Sequence, residues 1–266
     1  MATKPGGAYI DNLPDSAEGS AYYDLPSTRD EYLAFHYPGD DPLAALLGPD
    51  TPPLDRRYPF GVRELVEARP DGAALDIGAA CGRVTFDLAR CHREAWGVDL
   101  SQTLVDAARE VQATGRARYR TVEEGALLRE WDVNVETAAN ARFGVADALD
   151  LPFPDHAFCT VVALNLIDRV PDPARALEEA ARVVAPGGTL LVGSPYTWLP
   201  GFTPKERWLG GFLRDGVAVH GADAVRAQLA PAFRFHREVR MPFFIPHHAR
   251  SGQLGLAQIQ IHVRES

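Results

Sequence analysis

Three carboxylates each close a run of strand length: Asp76 in ALDIGAACG, Asp99 in EAWGVDLS and Asp147 in RFGVADAL. The first stands before two glycines four apart, Gly78 and Gly82, with only Ala79, Ala80 and Cys81 between them. A turn so poor in side chains lets a ligand approach the backbone, and a helix starting after it offers free N–H groups. The spacing lacks the G-x-G-x-x-G rhythm that seats a pyrophosphate at a helix N-terminus. Asp76 would repel a pyrophosphate but could hold an ammonium group, directly or through water. Asp99, ending the next strand, suits both hydroxyls of a ribose. Asp147, or Asp150 nearby, suits an adenine amino group. Taken singly, Asp76 is a strand-end turn residue and Asp99 caps a helix with Ser101. Taken in order, each at the end of a strand, they describe a site for a nucleoside with a cationic tail.

The elements that must position these groups follow from periodicity. Residues 73–77, 94–100, 142–149, 157–167 and 189–196 are apolar runs of strand length. Between them, 83–91, 101–115 and 172–188 carry helical spacing, with Ser101 and Asp172 as caps, Pro173 at a first helical position and Gly187 beyond an end. Strand–helix alternation predicts an α/β protein, a parallel sheet with helices on both faces. A further helix and two closing strands are expected after residue 222. Upstream, STRDEYLAFHY reads as a short helix capped by Ser27 or Thr28, and GVRELVEARP as a helix stopped near Pro70. The expected organisation is a loose, polar tail over 1–20, a lid or substrate segment over 21–60, and a core over 61–266. Within that core, 117–141 is an insertion holding a strand pair or a short helix.

Composition narrows the partners. A formal charge of −9 opposes broad binding to nucleic acid, while one or two local arginines suffice for a small anion. No apolar run approaches the length of a membrane helix and the N-terminus does not resemble a signal peptide, so a cytoplasmic protein is expected. The three cysteines, Cys81, Cys91 and Cys159, have no metal-ligand spacing and are expected to be reduced. His247 and His248 are adjacent, with no acid or third ligand near in sequence, so no metal site is expected.

The segments LDIGAACG, GVDLS, GVADALDLPF and VVALNLIDRVPDPARALEEAARVVAPGGTLLVGSP resemble the successive motifs of class I S-adenosylmethionine-dependent methyltransferases. The resemblance implies a Rossmann-like fold with a mostly parallel seven-stranded sheet. It also implies a cofactor site from Asp76, Gly78, Ala80, Gly82, Asp99, Leu100, Asp147, Ala148 and Asn165, with S-adenosylhomocysteine as product. Ala80 replaces the usual middle glycine of the loop, and preserves the turn if its φ is negative.

EYLAFHY, NLIDRVPDP and SPYTWLPGFTPKERWLGGF resemble more particular stretches, those of the methyltransferase domain of ovothiol synthases, the 4-mercaptohistidine N1-methyltransferases. The likeness runs from Tyr22 to Val239 and fades in PFFIPHHAR. It implies methylation of an imidazole nitrogen of 5-thiohistidine, a small amino-acid substrate, to give ovothiol A. It further implies a free-standing enzyme paired functionally with a sulfoxide synthase. Asn165 and Tyr196 are then the expected catalytic groups. His36, Tyr37, Asp168, Arg169 and Trp198 are expected around the substrate, with Asp168 meeting an ammonium and Arg169 a carboxylate. The alternatives are an O- or N-methyltransferase for another small natural product, and a non-catalytic module that binds S-adenosylmethionine.

Overall fold

A computed structural model describes residues 19–48 and 50–265; most of the expected tail lies outside the described residues. The chain enters by a 3-10 turn, Gly19–Asp24, followed by α1 (Pro26–His36) and α2 (Pro42–Leu47). Pro26 at the first helical position sets the start of α1. The expected caps Ser27 and Thr28 are therefore inside the helix, with Thr28 buried. The helix expected over 61–70 is replaced by a 3-10 turn, Phe60–Leu65, and an early start to β1 (Arg69–Ile77). Pro70 disfavours a helical Arg69, and the extended residue pairs with His92 instead.

From there helices and strands alternate: α3 (Arg83–Ala89), β2 (His92–Asp99) and α4 (Gln102–Thr114). The insertion is an antiparallel hairpin of β3 (Arg116–Glu124) and β4 (Leu127–Asn134), with Tyr119 opposite Trp131. Then come β5 (Ala141–Val145), β6 (Phe158–Leu164), α5 (Pro173–Val183) and β7 (Val184–Ser194). Helix α5 ends before the expected 188, because Pro186 favours extended backbone in the residue before it. A small hairpin, β8 (Phe212–Arg214) and β9 (Val217–Val219), precedes α6 (Gly221–Leu229), β10 (Phe233–His248) and β11 (Ser251–Arg264). The caps at Ser101 and Asp172 form as expected: Leu104 N donates to Ser101 Oγ at 3.2 Å, and Arg175 N to Asp172 Oδ1 at 3.1 Å.

The seven-stranded sheet runs β10-β11-β7-β6-β1-β2-β5. Strands β5, β2, β1, β6 and β7 are parallel to their neighbours, and β11 joins β7 antiparallel. Strand order reverses between β1 and β6, so the crevice beyond Ile77 and Leu164 is where such a sheet binds its ligand. Both faces are covered. Leu75 and Ile77 point into the layer with Leu177 and Val225, while Ala74 points into the layer with Phe86 and Leu104. Period-2 alternation therefore sends Asp76 toward α3.

Candidate active site

The bend after β1 is built from three residues in the left-handed region: Gly78 (φ 75°), Ala80 (φ 45°) and Gly82 (φ 86°). The condition of a negative φ at Ala80 is thus not met; the alanine holds a glycine conformation with its methyl group buried. Gly82 is required on steric grounds as well, because a Cβ there would lie 2.7 Å from the Phe143 ring. Gly78 N and Ala79 N both donate to Val98 O, at 2.8 and 2.9 Å, which binds the bend to β2.

Asp99 completes the bend. Its Oδ2 accepts from Ala80 N at 2.9 Å and its Oδ1 from Ser101 N at 3.0 Å, so one carboxylate ties the loop to the start of α4. Each oxygen retains a lone pair for a ligand hydroxyl. Asp76 is buried, with Oδ2 accepting from Thr85 Oγ1 at 2.7 Å. Burial pushes its carboxyl up to about 7, against the Thr85 hydrogen bond, and the Asp99 charge raises it further. Burial likewise raises Asp99. The charges acting on Asp76 are those of Asp99 and Asp87, both negative. A cationic ligand would relieve that arrangement.

The N-terminal segment closes around this bend. Tyr37 donates its hydroxyl to Cys81 O at 2.8 Å, and Tyr119 donates to Tyr37 O at 2.9 Å. Tyr37 thus props the loop, and its hydroxyl is already used. His36 is buried, its Nδ1 lacks a partner, and burial together with the Arg83 charge pushes its pKa down to about 3. It is a neutral imidazole. Tyr58 is buried against Phe35, with ring centroids 5.7 Å apart, and its phenol feels both Asp76 and Asp99. Leu100 stands 54% exposed at the mouth. Asp147 is exposed and its Oδ1 accepts from Leu149 N at 2.9 Å, while Ala148 beside it is buried.

Three more non-glycine residues take positive φ where β6 and β7 end: Asn165 (53°), Tyr196 (52°) and Trp198 (44°). Each such residue stores strain of about 1–3 kcal/mol, which tends to gather where geometry serves a ligand. Asn165 N donates to Gly193 O at 2.7 Å, and its side-chain oxygen is buried without a partner. The next residue, Leu166, reaches the site of a Cβ on Gly78, so Asn165 borders the bend. The Tyr196 hydroxyl and Trp198 Nε1 are also buried and unpartnered. Tyr196 packs on Gly221 of α6, and burial, then Glu238 and Asp168, raise its phenol. Trp198 stacks on Trp208 at 6.3 Å and lies against Gly211. Tyr196 thus packs toward α6 and Trp198 toward Gly211 before β8, and neither has a hydrogen bond to Asn165 or the bend among the described residues.

Asp168 does not have the freedom expected for an ammonium partner. It is fully buried, and it accepts from Ser194 Oγ (2.8 Å), Thr197 N (3.1 Å), Thr197 Oγ1 (2.7 Å) and Arg169 Nη1 (2.8 Å). Four donors saturate a carboxylate. Its work is to join the ends of β6 and β7 and to orient Arg169. His247 lies 3.7 Å from Glu31 Oε1, and no cluster of three metal-ligating side chains occurs among the described residues.

Tyr23, Tyr32 and Tyr58 escaped the sequence reading. The aromatic density of residues 22–58 was their signal, but density alone does not say which rings face a crevice. The Ser101 hydroxyl lies 3.0 Å from Tyr23 O and 2.7 Å from Asp24 Oδ1, which lashes the entering turn to the cap beside Asp99.

Residues 75–192 match the methyltransferase domain family, a span that carries the bend, Asp99, Asn165 and Asp168. The matched span is under half of the chain, and the seven-stranded sheet around it has the Rossmann-like fold of class I methyltransferases. Among solved structures, the N-methyltransferase NodS from Bradyrhizobium japonicum WM9, in complex with S-adenosylhomocysteine, matches 87% of this chain and 100% of its own with a TM-score of 0.51 and 17% identity. Two curated relatives carry methyltransferase names. The ubiquinone biosynthesis O-methyltransferase of Methylococcus capsulatus is 25% identical over 70% of this chain and 65% of its own. The 27-O-demethylrifamycin SV methyltransferase of Amycolatopsis mediterranei is 36% identical over 48% of this chain and 40% of its own. The chain thus spans under two thirds of either relative. No helix among the described residues is long and apolar enough to cross a membrane.

Proposed function

We propose that the protein methylates an imidazole nitrogen of 5-thiohistidine with S-adenosylmethionine. The acids around the bend fit that cofactor: Asp76 is buried and feels the charge of half-buried Asp99, which has spare lone pairs for the ribose hydroxyls. Bound there, S-adenosylmethionine supplies an electrophilic methyl group on a sulfonium. The observation that carries the acceptor reading is the convergence of three distinctive stretches on one crevice. EYLAFHY brings Tyr37 to the loop, NLIDRVPDP brings Asn165 beside the bend, and the stretch after β7 brings Thr197 to Asp168 and Phe202 to Arg169.

The chemistry asks little of a base. A ring nitrogen attacks in line through its own lone pair, so the protein's task is orientation, for which positioning supplies up to about 7–11 kcal/mol. In this reading the unpaired Asn165 oxygen accepts from the other imidazole N–H and turns the attacking lone pair toward the methyl group. The aromatic walls exclude water. Within this reading a sulfoxide-synthase reaction supplies the acceptor.

Some curated relatives carry O-methyltransferase names, which supports a second reading, O-methylation of another small natural product. Incubation with S-adenosylmethionine and 5-thiohistidine, followed by mass spectrometry, separates the two. Gain of one methyl on the ring is expected. Turnover of a phenol with none of 5-thiohistidine would leave only the second reading.

A further inference from the structure

Arg169 is an unusual cation in this crevice. Its side chain is 18% exposed, yet every hydrogen bond found for its guanidinium among the described residues leaves from Nη1, to the Asp168 carbonyl and carboxylate. Asp172, the nearest alternative partner in sequence, pairs instead with Arg207 at 3.1 Å. Asp168 also accepts from Ser194 Oγ, Thr197 N and Thr197 Oγ1, which holds it in place, while Nε and Nη2 of Arg169 have no hydrogen bond among the described residues.

The remaining surroundings of Arg169 are aromatic. Its guanidinium lies 5.4 Å from the Phe202 ring centroid, Phe202 lies 5.8 Å from Tyr23, and Tyr23 lies 5.9 Å from Tyr32. The Arg169 charge acts on both phenols, which burial otherwise raises. The guanidinium keeps donors to spare, and the two phenols, hydrogen-bonded to each other, belong to the same aromatic cluster within reach of its charge. That is the chemistry that takes a carboxylate: a fork of N–H groups supplemented by neutral donors. Arg169 lies in the turn four residues beyond Asn165, and Tyr23 feels both its charge and that of Asp99.

We propose that Arg169, Tyr23 and Tyr32 form a carboxylate subsite that holds the α-carboxylate of the acceptor. This deepens the reading of the acceptor as an amino acid and rests on it. Two of the three groups belong to the entering segment, which is fastened by Tyr23 O and Asp24 to Ser101. The subsite is therefore complete only with that segment in place, and acceptor selection is tied to its closure.

The test is calorimetric titration of the protein–S-adenosylhomocysteine complex with 5-thiohistidine and with its decarboxylated amine. Wild type should prefer the acid by about 10–100-fold, the worth of charge-assisted hydrogen bonds to one carboxylate. Arg169→Met should abolish the preference by weakening the acid alone, Arg169→Lys should keep part of it, and Tyr23→Phe should lower it about 3–10-fold. Affinity for S-adenosylhomocysteine should stay within about threefold in all variants, which also reports folding. Equal loss for acid and amine would overturn the proposal in favour of a structural arginine. A matching loss for S-adenosylhomocysteine would overturn it in favour of the cofactor's own carboxylate. If wild type ignores 5-thiohistidine, the same pairs are run for histidine, tyrosine and glutamate. An Arg169-dependent preference for any acid keeps the subsite and ends the 5-thiohistidine reading, and no such preference ends the subsite.

Discussion

The two halves of the crevice are finished to different degrees. Around the bend, Ala80 N, Cys81 O and Asp99 each have protein partners, and the loop is bonded to β2, α3 and the N-terminal segment before any ligand arrives. At the ends of β6 and β7, the Asn165 oxygen, the Tyr196 hydroxyl and Trp198 Nε1 are buried with no partner, on residues held at positive φ. A buried polar atom left alone costs about 1–3 kcal/mol. Apart from His36 Nδ1, the polar atoms named at the bend are tied to the protein. In the function proposed above, the first half cradles the nucleoside and the second holds the acceptor.

The contrast is broken most forcefully at Asn165. If the unpaired oxygen serves the acceptor as proposed, rather than the cofactor, Asn165→Ala should lower kcat/KM about 100-fold while changing S-adenosylhomocysteine affinity less than about threefold. Steady-state kinetics with calorimetry on the same samples check it. Comparable losses in both would show that the two halves share this residue.

Asp99→Ala should act on the opposite half. It removes the acceptor of Ala80 N and Ser101 N together with the ribose ligand, so S-adenosylhomocysteine should bind about 10–100-fold more weakly. Unchanged affinity by calorimetry would remove Asp99 from the cradle.

A third effect is smaller and depends on pH. Asp76 keeps its proton up to about pH 7 in the folded protein, so its carboxylate is available to a cation only as pH rises through that value. Binding of S-adenosylhomocysteine, through its ammonium, should tighten from pH 6 to 8, by up to about tenfold. The sign for folding is opposite. A carboxyl raised on folding contributes stability below its unfolded pKa and loses it as pH rises toward 7. Asp76→Asn should flatten the binding profile, leaving the slope due to Asp99; calorimetry across pH checks both.

The same division explains what was legible in the sequence. The bend, the acids at strand ends and the caps Ser101 and Asp172 are local: a few adjacent residues determine them, and the structure forms them. The acceptor half depends on residues from α1, the ends of β6 and β7, and the entering turn, brought together only by the sheet. Tyr23 and Tyr58 are two aromatics among many in 22–58, and nothing local distinguishes a ring on the crevice from one in the core. Asp168 was read as a ligand group because its type and place allowed it. Its four donors come from Arg169, Ser194 and Thr197, and three of those bonds span 26 residues or more. The left-handed backbone of Ala80 was hidden for another reason: alanine carries no preference for it, and the hydrogen bond to Asp99 holds it there.

Ala80→Gly is accordingly the mildest way to sharpen the comparison. Left-handed backbone costs an alanine about 1–2 kcal/mol, which glycine would recover. Against that, glycine loses about 0.5–1 kcal/mol more in chain entropy and gives up about 0.8 kcal/mol for one buried methyl. The terms nearly cancel, so stability by denaturant titration should stay within about 1 kcal/mol of wild type, and S-adenosylhomocysteine affinity within about threefold. Ala80→Val should be much worse, because a branched side chain in the left-handed region adds clash to strain and leaves nothing to recover. If glycine instead stabilised the protein strongly, the cradle would be less preformed than its hydrogen bonds indicate, with the strain of Ala80 relieved only when a ligand is bound.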